Sequence, residues 1–167
     1  MPGVGNHEGY YNFSSYFHRY ALPRNYENQT NLWFSFDYGQ LHMIHFSSEH
    51  PYTEGTEQYQ FLENDLIKAR ANPNTKWIIL GVHRPFYSSS MRQHNPTSLA
   101  VGLEDLINKY KVDIVQTGHE HSYERTWPVY KNDVKKDNQE ENYFRSPEAP
   151  IYVVQGTSGA MIRNLWR

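Results

Sequence analysis

The sequence has no cysteine among its 167 residues, so disulfides are excluded as a source of stability. Long hydrophobic runs are missing too. Nothing approaches the roughly 20 apolar residues of a membrane-spanning helix, and no membrane partner is expected. Charge of one sign is scarce: 16 Lys and Arg stand against 18 Asp and Glu, a net −2 with His neutral. That balance exerts no pull toward nucleic acid. No internal repeat or linker-like stretch splits the chain, so residues 1–167 read as one domain, long enough to bury about 70% of its unfolded surface. Met1-Pro2-Gly3-Val4-Gly5 runs straight into Asn6-His7-Glu8, without the apolar stretch of a secretory leader, and localisation is not legible. Aromatics are plentiful at 16%, with 14 Tyr, which fits neither disorder nor a membrane span.

The chemistry gathers around Gly118-His119-Glu120-His121-Ser122-Tyr123-Glu124-Arg125. The preceding Val112-Asp113-Ile114-Val115-Gln116-Thr117 is a β-branched run that reads as a buried strand ending at a glycine. Two histidines spaced i, i+2 can both turn toward one site if the loop after Gly118 is tight. Imidazole is the commonest ligand for transition metals, and Glu124 and Arg125 stand close enough to orient the pair. An ordinary loop with two solvated histidines is the alternative. Residues 76–82 form a nearly continuous apolar strand with His83 at its end, where open α/β sheets hold ligands. Gly5-Asn6-His7-Glu8-Gly9 presents an amide, an imidazole and a carboxylate on flexible backbone, or is simply a turn.

Around these motifs the periodicity is that of an α/β fold. Phe13, Tyr16, Phe17 and Tyr20 predict a short helix before Pro23. Residues 32–37 and 41–46 predict strands joined by a hairpin at Tyr38-Gly39-Gln40. Tyr59, Leu62, Leu66 and Ala69 mark a helix capped by Thr56 and ended by Asn72-Pro73-Asn74. Leu99, Leu103, Leu106, Ile107 and Tyr110 mark another, and residues 151–155 a further strand. Residues 126–130 read as a short strand and 131–146 as a long exposed loop. This rhythm predicts βαβ units and a mainly parallel sheet. His42 and His45 read as structural strand histidines, and His18 and His50 as solvated ones. Asn12-Phe13-Ser14 and Asn28-Gln29-Thr30 are glycosylation sequons, meaningful only in a secreted protein.

Taken in order, Gly5-Asn6-His7-Glu8, Val82-His83-Arg84-Pro85 and the run from Gly118 to Arg125 resemble the metallophosphoesterase domain of purple acid phosphatases. Residues 31–39 and 59–66 support the likeness. The resemblance implies an α/β/β/α sandwich and a binuclear Fe–Zn, Fe–Mn or Fe–Fe centre that hydrolyses phosphomonoesters. It implies that Asn6, His83 and His119 ligate a divalent metal (Zn, Fe or Mn) and His121 the trivalent iron. It places His7 beside the phosphate or leaving group. A further family histidine acts on the leaving group ten residues past the match to His83; Gln93 stands there, with His94 beside it. The family's GDxG and GDxxY motifs, which supply a bridging aspartate and a tyrosine, precede its Asn-His-Glu, whereas five residues precede Asn6 here. The expectation is therefore a partial sandwich lacking its first strands and its C-terminal end. It would bind one ion and phosphate or a phosphomonoester, with impaired hydrolysis, and dimerise to cover exposed sheet edges. A non-catalytic, metal-binding or self-associating remnant is the alternative. The family is commonly secreted, vacuolar or lysosomal.

Overall fold

The computed structural model describes residues 3–21, 31–90, 97–136, 147–157 and 159. Three helices, α1 (Ser14–Arg19), α2 (Glu57–Ala71) and α3 (Ser98–Lys109), alternate with eight strands. These are β1 (Phe34–Tyr38), β2 (Leu41–Phe46), β3 (Trp77–Val82), β4 (Ile114–Thr117), β5 (Tyr123–Arg125), β6 (Val129–Tyr130), β7 (Asp133–Val134) and β8 (Ile151–Gln155). Six form one sheet in the order β1-β2-β3-β4-β8-β5, and β6 pairs only with β7. The four central strands run parallel; β1 and β5 close the edges antiparallel. The parallel core matches the predicted βαβ rhythm, and Gly39 takes a φ of 61° in the β1–β2 hairpin, where a side chain would be strained.

The two long helices, α2 and α3, begin at side-chain caps, whereas α1 follows Phe13 without one. Thr56 Oγ1 accepts from the Tyr59 amide at 3.4 Å, and Thr97 Oγ1 accepts from Ala100 at the same distance. Each cap satisfies an amide with no partner inside the helix, worth about 1 kcal/mol. The Thr97 cap was not anticipated from sequence, although the α3 periodicity was. Asn72 closes α2, its side chain accepting from the Asn74 amide at 3.0 Å, and Pro73 cannot continue the helix. None of the helices among the described residues is long and apolar enough to cross a membrane.

One face of the sheet carries the core. Register places Ile44, Leu80, Val115 and Tyr152 in one row across β2, β3, β4 and β8, all with at most 1% exposure. Leu62 and Leu66 from α2 and Leu103 and Ile107 from α3 bury against that face. Each such side chain contributes about 1.5–3 kcal/mol. Among the described residues the opposite face is covered chiefly at the β1 end, where Val4, Tyr16 and Leu32 pack on Phe34. Elsewhere Met43, Ile79, Ile114 and Val153 stay half-buried, and Gln116 is exposed. The second large sheet of an α/β/β/α sandwich is thus not formed among the described residues, because six of their eight strands belong to a single sheet. Within the stretch 131–146 expected as an exposed loop, residues 131–134 supply the turn and second strand of a β6–β7 hairpin, and 137–146 lie outside the described residues; β5 was not foreseen. Three residues are too few to show a period.

His42 is structural, as read, but through a tighter device than burial alone. Its Nδ1 lies 2.6 Å from Asp37 Oδ1 and its Nε2 2.8 Å from Asp65 Oδ2. Asp65 also accepts from Ser35 Oγ at 2.9 Å, so the network joins β1, β2 and α2. Burial pushes the His42 pKa down, but hydrogen bonds and charge from Asp65 and Asp37 outweigh it and hold it above the ordinary value. A raised histidine pKa stabilises the fold fully below about 6.5, and the contribution fades as pH rises through the folded value. Asp65→Asn should therefore cost about 3 kcal/mol at pH 5.5 and clearly less at pH 9. Urea unfolding of both proteins at the two pH values measures the difference; an unchanged gap would refute the role given to His42.

Candidate metal centre

The pairing of β3 with β4 sets two histidines side by side. Val82 registers with Thr117, and the Gly118 amide donates to the His83 carbonyl at 3.0 Å, extending the ladder past the last strand residues. His83 and His119 thus leave neighbouring parallel strands at the same sheet edge. His119 has a φ of 61°, in the left-handed region. There the backbone breaks the strand's alternation and costs roughly 1 kcal/mol or more, a strain that clusters at functional sites. Asn6 arrives on the turn of residues 5–9, which Glu8 holds by accepting from the Gly5 amide at 2.8 Å.

Three atoms converge. His83 Nε2 lies 2.7 Å from Asn6 Oδ1 and 3.1 Å from His119 Nδ1, and His119 Nδ1 lies 3.2 Å from Asn6 Oδ1. Hydrogen bonds alone cannot satisfy this triangle: the amide oxygen only accepts, and once both rings donate to it their own N–H groups oppose each other. A cation at the centre satisfies all three contacts. Donors about 2.1 Å from an ion lie about 3.0 Å apart in octahedral and about 3.4 Å apart in tetrahedral coordination, so the three donors fit a metal with an octahedral edge or, after a few tenths of an ångström of opening, a tetrahedral one. Burial, then the charge of neighbouring His119, pushes the His83 pKa down to about 4. Burial and the Arg84 charge lower that of His119. Both rings therefore stay neutral below the ordinary histidine range, and their lone pairs remain available in mild acid.

Space is as critical as charge. A Cβ at Gly5 would stand 2.8 Å from His83 Nδ1 and 2.9 Å from its Cγ. The Gly5 backbone needs no positive φ; the glycine is required so that the turn can lie against the ring. On the other side, a Cβ at Gly156 would fall 1.8 Å from the Glu120 carbonyl oxygen, so β8 ends in a residue that lets the histidine loop pass over it.

The other expected residues are distributed differently. His121 lies on the same loop, half-buried, with its charge bearing on His119, but it is not one of the three converging atoms. His7 is exposed on the Asn6 turn, its ring 6.4 Å from that of Tyr10. His94 lies outside the described residues. Glu124 does not orient the histidines directly, as had been expected. It accepts from Ser88 Oγ at 2.9 Å and the Ser89 amide at 2.7 Å, tying the loop after His83 to the loop after His119. His45 is half-buried and stacked on Phe34 at 4.8 Å. Burial lowers its pKa to about 4, and with His83, Gly81 and Gln116 it lines a groove of about 410 Å³ on the less covered sheet face.

Two residues were missed by the sequence reading. Arg84 donates from Nε to Glu49 Oε1 at 2.8 Å and from Nη2 to Glu49 Oε2 at 3.1 Å, and its Nη1 lies 3.4 Å from His119 Nε2. A signal existed: Glu49 follows the end of β2, another parallel strand whose carboxyl end opens on the same edge.

Comparison with known proteins places the chain among relatives of known family. Residues 2–123 match the calcineurin-like phosphoesterase family. The chain is 39% identical over 177 residues to acid phosphatase type 7 of Mus musculus, spanning 95% of this chain and 40% of the mouse protein. It is also 39% identical over 142 residues to a probable inactive purple acid phosphatase of Arabidopsis thaliana, covering 80% of this chain and 23% of that protein. The solved purple acid phosphatase from yellow lupin (Lupinus luteus) seeds superposes with a TM-score of 0.68 at 32% identity, over 88% of this chain and 27% of that one. The chain thus spans well under half of each of these relatives.

Two substitutions test the site. His119→Ala should lower zinc affinity at least about 100-fold, the upper range seen even for second-layer changes. Gly5→Ala should displace the His83 ring and weaken zinc binding by at least about 10-fold while the circular dichroism spectrum is retained. Calorimetric titration reads both, and wild-type affinity in either variant would contradict the assignment.

Proposed function

Because the chain belongs to the calcineurin-like phosphoesterase family and is homologous to purple acid phosphatases, we propose that it binds one divalent cation through Asn6, His83 and His119 and acts, slowly, on phosphate monoesters. The convergence of those three donors within 2.7–3.2 Å of one another carries the reading. An amide oxygen with two imidazoles is a mixed donor set suited to Zn²⁺, Fe²⁺ or Mn²⁺. All three are neutral, so an ion they hold keeps its full charge toward an anionic substrate. Such an ion supplies Lewis acidity at a phosphoryl oxygen.

The remaining roles fall to the chain's own groups. Asn6 and the two rings fix the position of the phosphate by fixing that of the cation. His7, exposed on the turn next to Asn6, is the candidate to hold or deliver a proton at the leaving oxygen, and His94 is the second candidate. His121, half-buried on the same loop as His119, is the candidate for a fourth donor. Among the described residues no group of three or more His, Asp or Glu side chains is placed to hold an ion. A carboxylate-bridged pair of ions about 3.5–4 Å apart, the arrangement that drives in-line displacement in two-metal enzymes, has no bridging group in this set. Turnover should suffer accordingly.

The competing reading is a phosphate- and metal-binding module without catalysis, favoured by the equal 39% identity to a plant relative named probable inactive. Steady-state hydrolysis of a chromogenic phosphate ester at pH 5–6, with zinc and iron added, separates the two. The expected result is metal-dependent turnover well below about 1 s⁻¹, the low end of the ordinary enzyme range. Ordinary turnover would mean that another carboxylate completes a second metal site. Stoichiometric metal binding with no hydrolysis would establish the binding module.

A further inference from the structure

Arg84 is held more tightly than a surface arginine requires. Its amide donates to Ser48 Oγ at 3.2 Å, and its Nε and Nη2 make paired hydrogen bonds to the two oxygens of Glu49. Two parallel charge-assisted bonds fix the guanidinium plane. Burial pushes the Glu49 pKa up, but the bonds from Arg84 and Ser48 outweigh it, so the carboxylate stays ionised and the fork stays closed. The third nitrogen, Nη1, lies outside this fork and 3.4 Å from His119 Nε2.

That last contact cannot persist as a hydrogen bond when the site works as read above. If Nδ1 of His119 offers its lone pair to a cation, the ring's proton resides on Nε2. Two N–H donors, Nη1 of Arg84 and Nε2 of His119, then face one another. The arrangement is resolved by an oxygen that accepts from both, and an anion does so best because one donor is a full cation.

We propose that Arg84 and the Nε2–H of His119 together form an oxyanion contact beside the metal trio, which takes an oxygen of a bound phosphate group. The inference rests on the metal-and-phosphate reading of the site and names the residue that sets its anion affinity. Glu49 is the positioning residue: it does not meet the anion but aims the guanidinium. Arg84 suits the task better than lysine, since an ammonium on a flexible stem lacks the planar fork that fixes the direction of the remaining donor.

The test is calorimetric titration of inorganic phosphate into the full chain, with and without zinc, for the wild type, Arg84→Met, Arg84→Lys and Glu49→Gln. Zinc stoichiometry is measured on each. A hydrogen bond to a charged group contributes about 1.5–3 kcal/mol, or roughly 10- to 100-fold in affinity. Arg84→Met should weaken phosphate binding by about that factor and leave zinc stoichiometry unchanged. Arg84→Lys and Glu49→Gln should each give a smaller loss. If Arg84→Met fails to fold, Arg84→Lys decides alone, and undiminished phosphate affinity in it overturns the proposal. The proposal is also overturned if the wild type binds no phosphate, or if Arg84→Met loses zinc together with phosphate, which would make Arg84 a support for the metal ligand only. If the wild type takes up no zinc but Arg84→Met still loses phosphate, the Arg84 contact stands and the metal reading fails.

Discussion

The parallel ladder between β3 and β4, continued one bond beyond the strands by Gly118 and His83, is the constraint on which the site depends. Parallel neighbours end at the same edge, so residues 36 positions apart in sequence reach the same point in space. α2 and α3 hold that ladder in place by burying its other face. The row of Ile44, Leu80, Val115 and Tyr152 is sealed from water beneath the helices. Of the three donors within 3.2 Å of one another, two are positioned by a packed sheet and the third by a turn that leans on it.

The same residue type serves opposite ends in this chain. Burial drives His83 and His119 toward neutrality, with positive neighbours adding to the effect. His42 is also buried, yet two carboxylates reverse the outcome and favour the imidazolium. Neutral rings have lone pairs to give, whereas a ring clamped at both nitrogens has none. The electrostatic surroundings thus divide the histidines into a neutral pair at one sheet edge and a charged structural brace at the other.

Close approach adds a second layer of control. Gly5 and Gly156 sit where a methyl group would collide with His83 or with the backbone of the histidine loop. Glu124 joins the two loops that follow His83 and His119 through Ser88 and Ser89. Kinship with acid phosphatases and the lupin structure fits this framework, while the chain's span of 40% of the mouse relative leaves much of such a protein outside it.

Local pattern sufficed for the elements. The apolar runs of β2, β3 and β8, the helical spacing in α2 and α3, and the Thr56 and Asn72-Pro73 boundaries are properties of neighbouring residues, and chain-local forces decide them. The ordered motifs around Asn6, His83 and His119 were readable as candidates, because each residue stands at a recognisable turn or strand end, and the structure brings their polar atoms together. Other features needed the tertiary structure. That Arg84 faces His119, that Glu49 aims it, and that Glu124 ties two loops rather than steering a ligand all depend on contacts across 35 or 36 residues. The clamp on His42 likewise joins residues from two strands and a helix. Sequence spacing carries no record of such contacts, since strand order and register place the partners only after the core has closed.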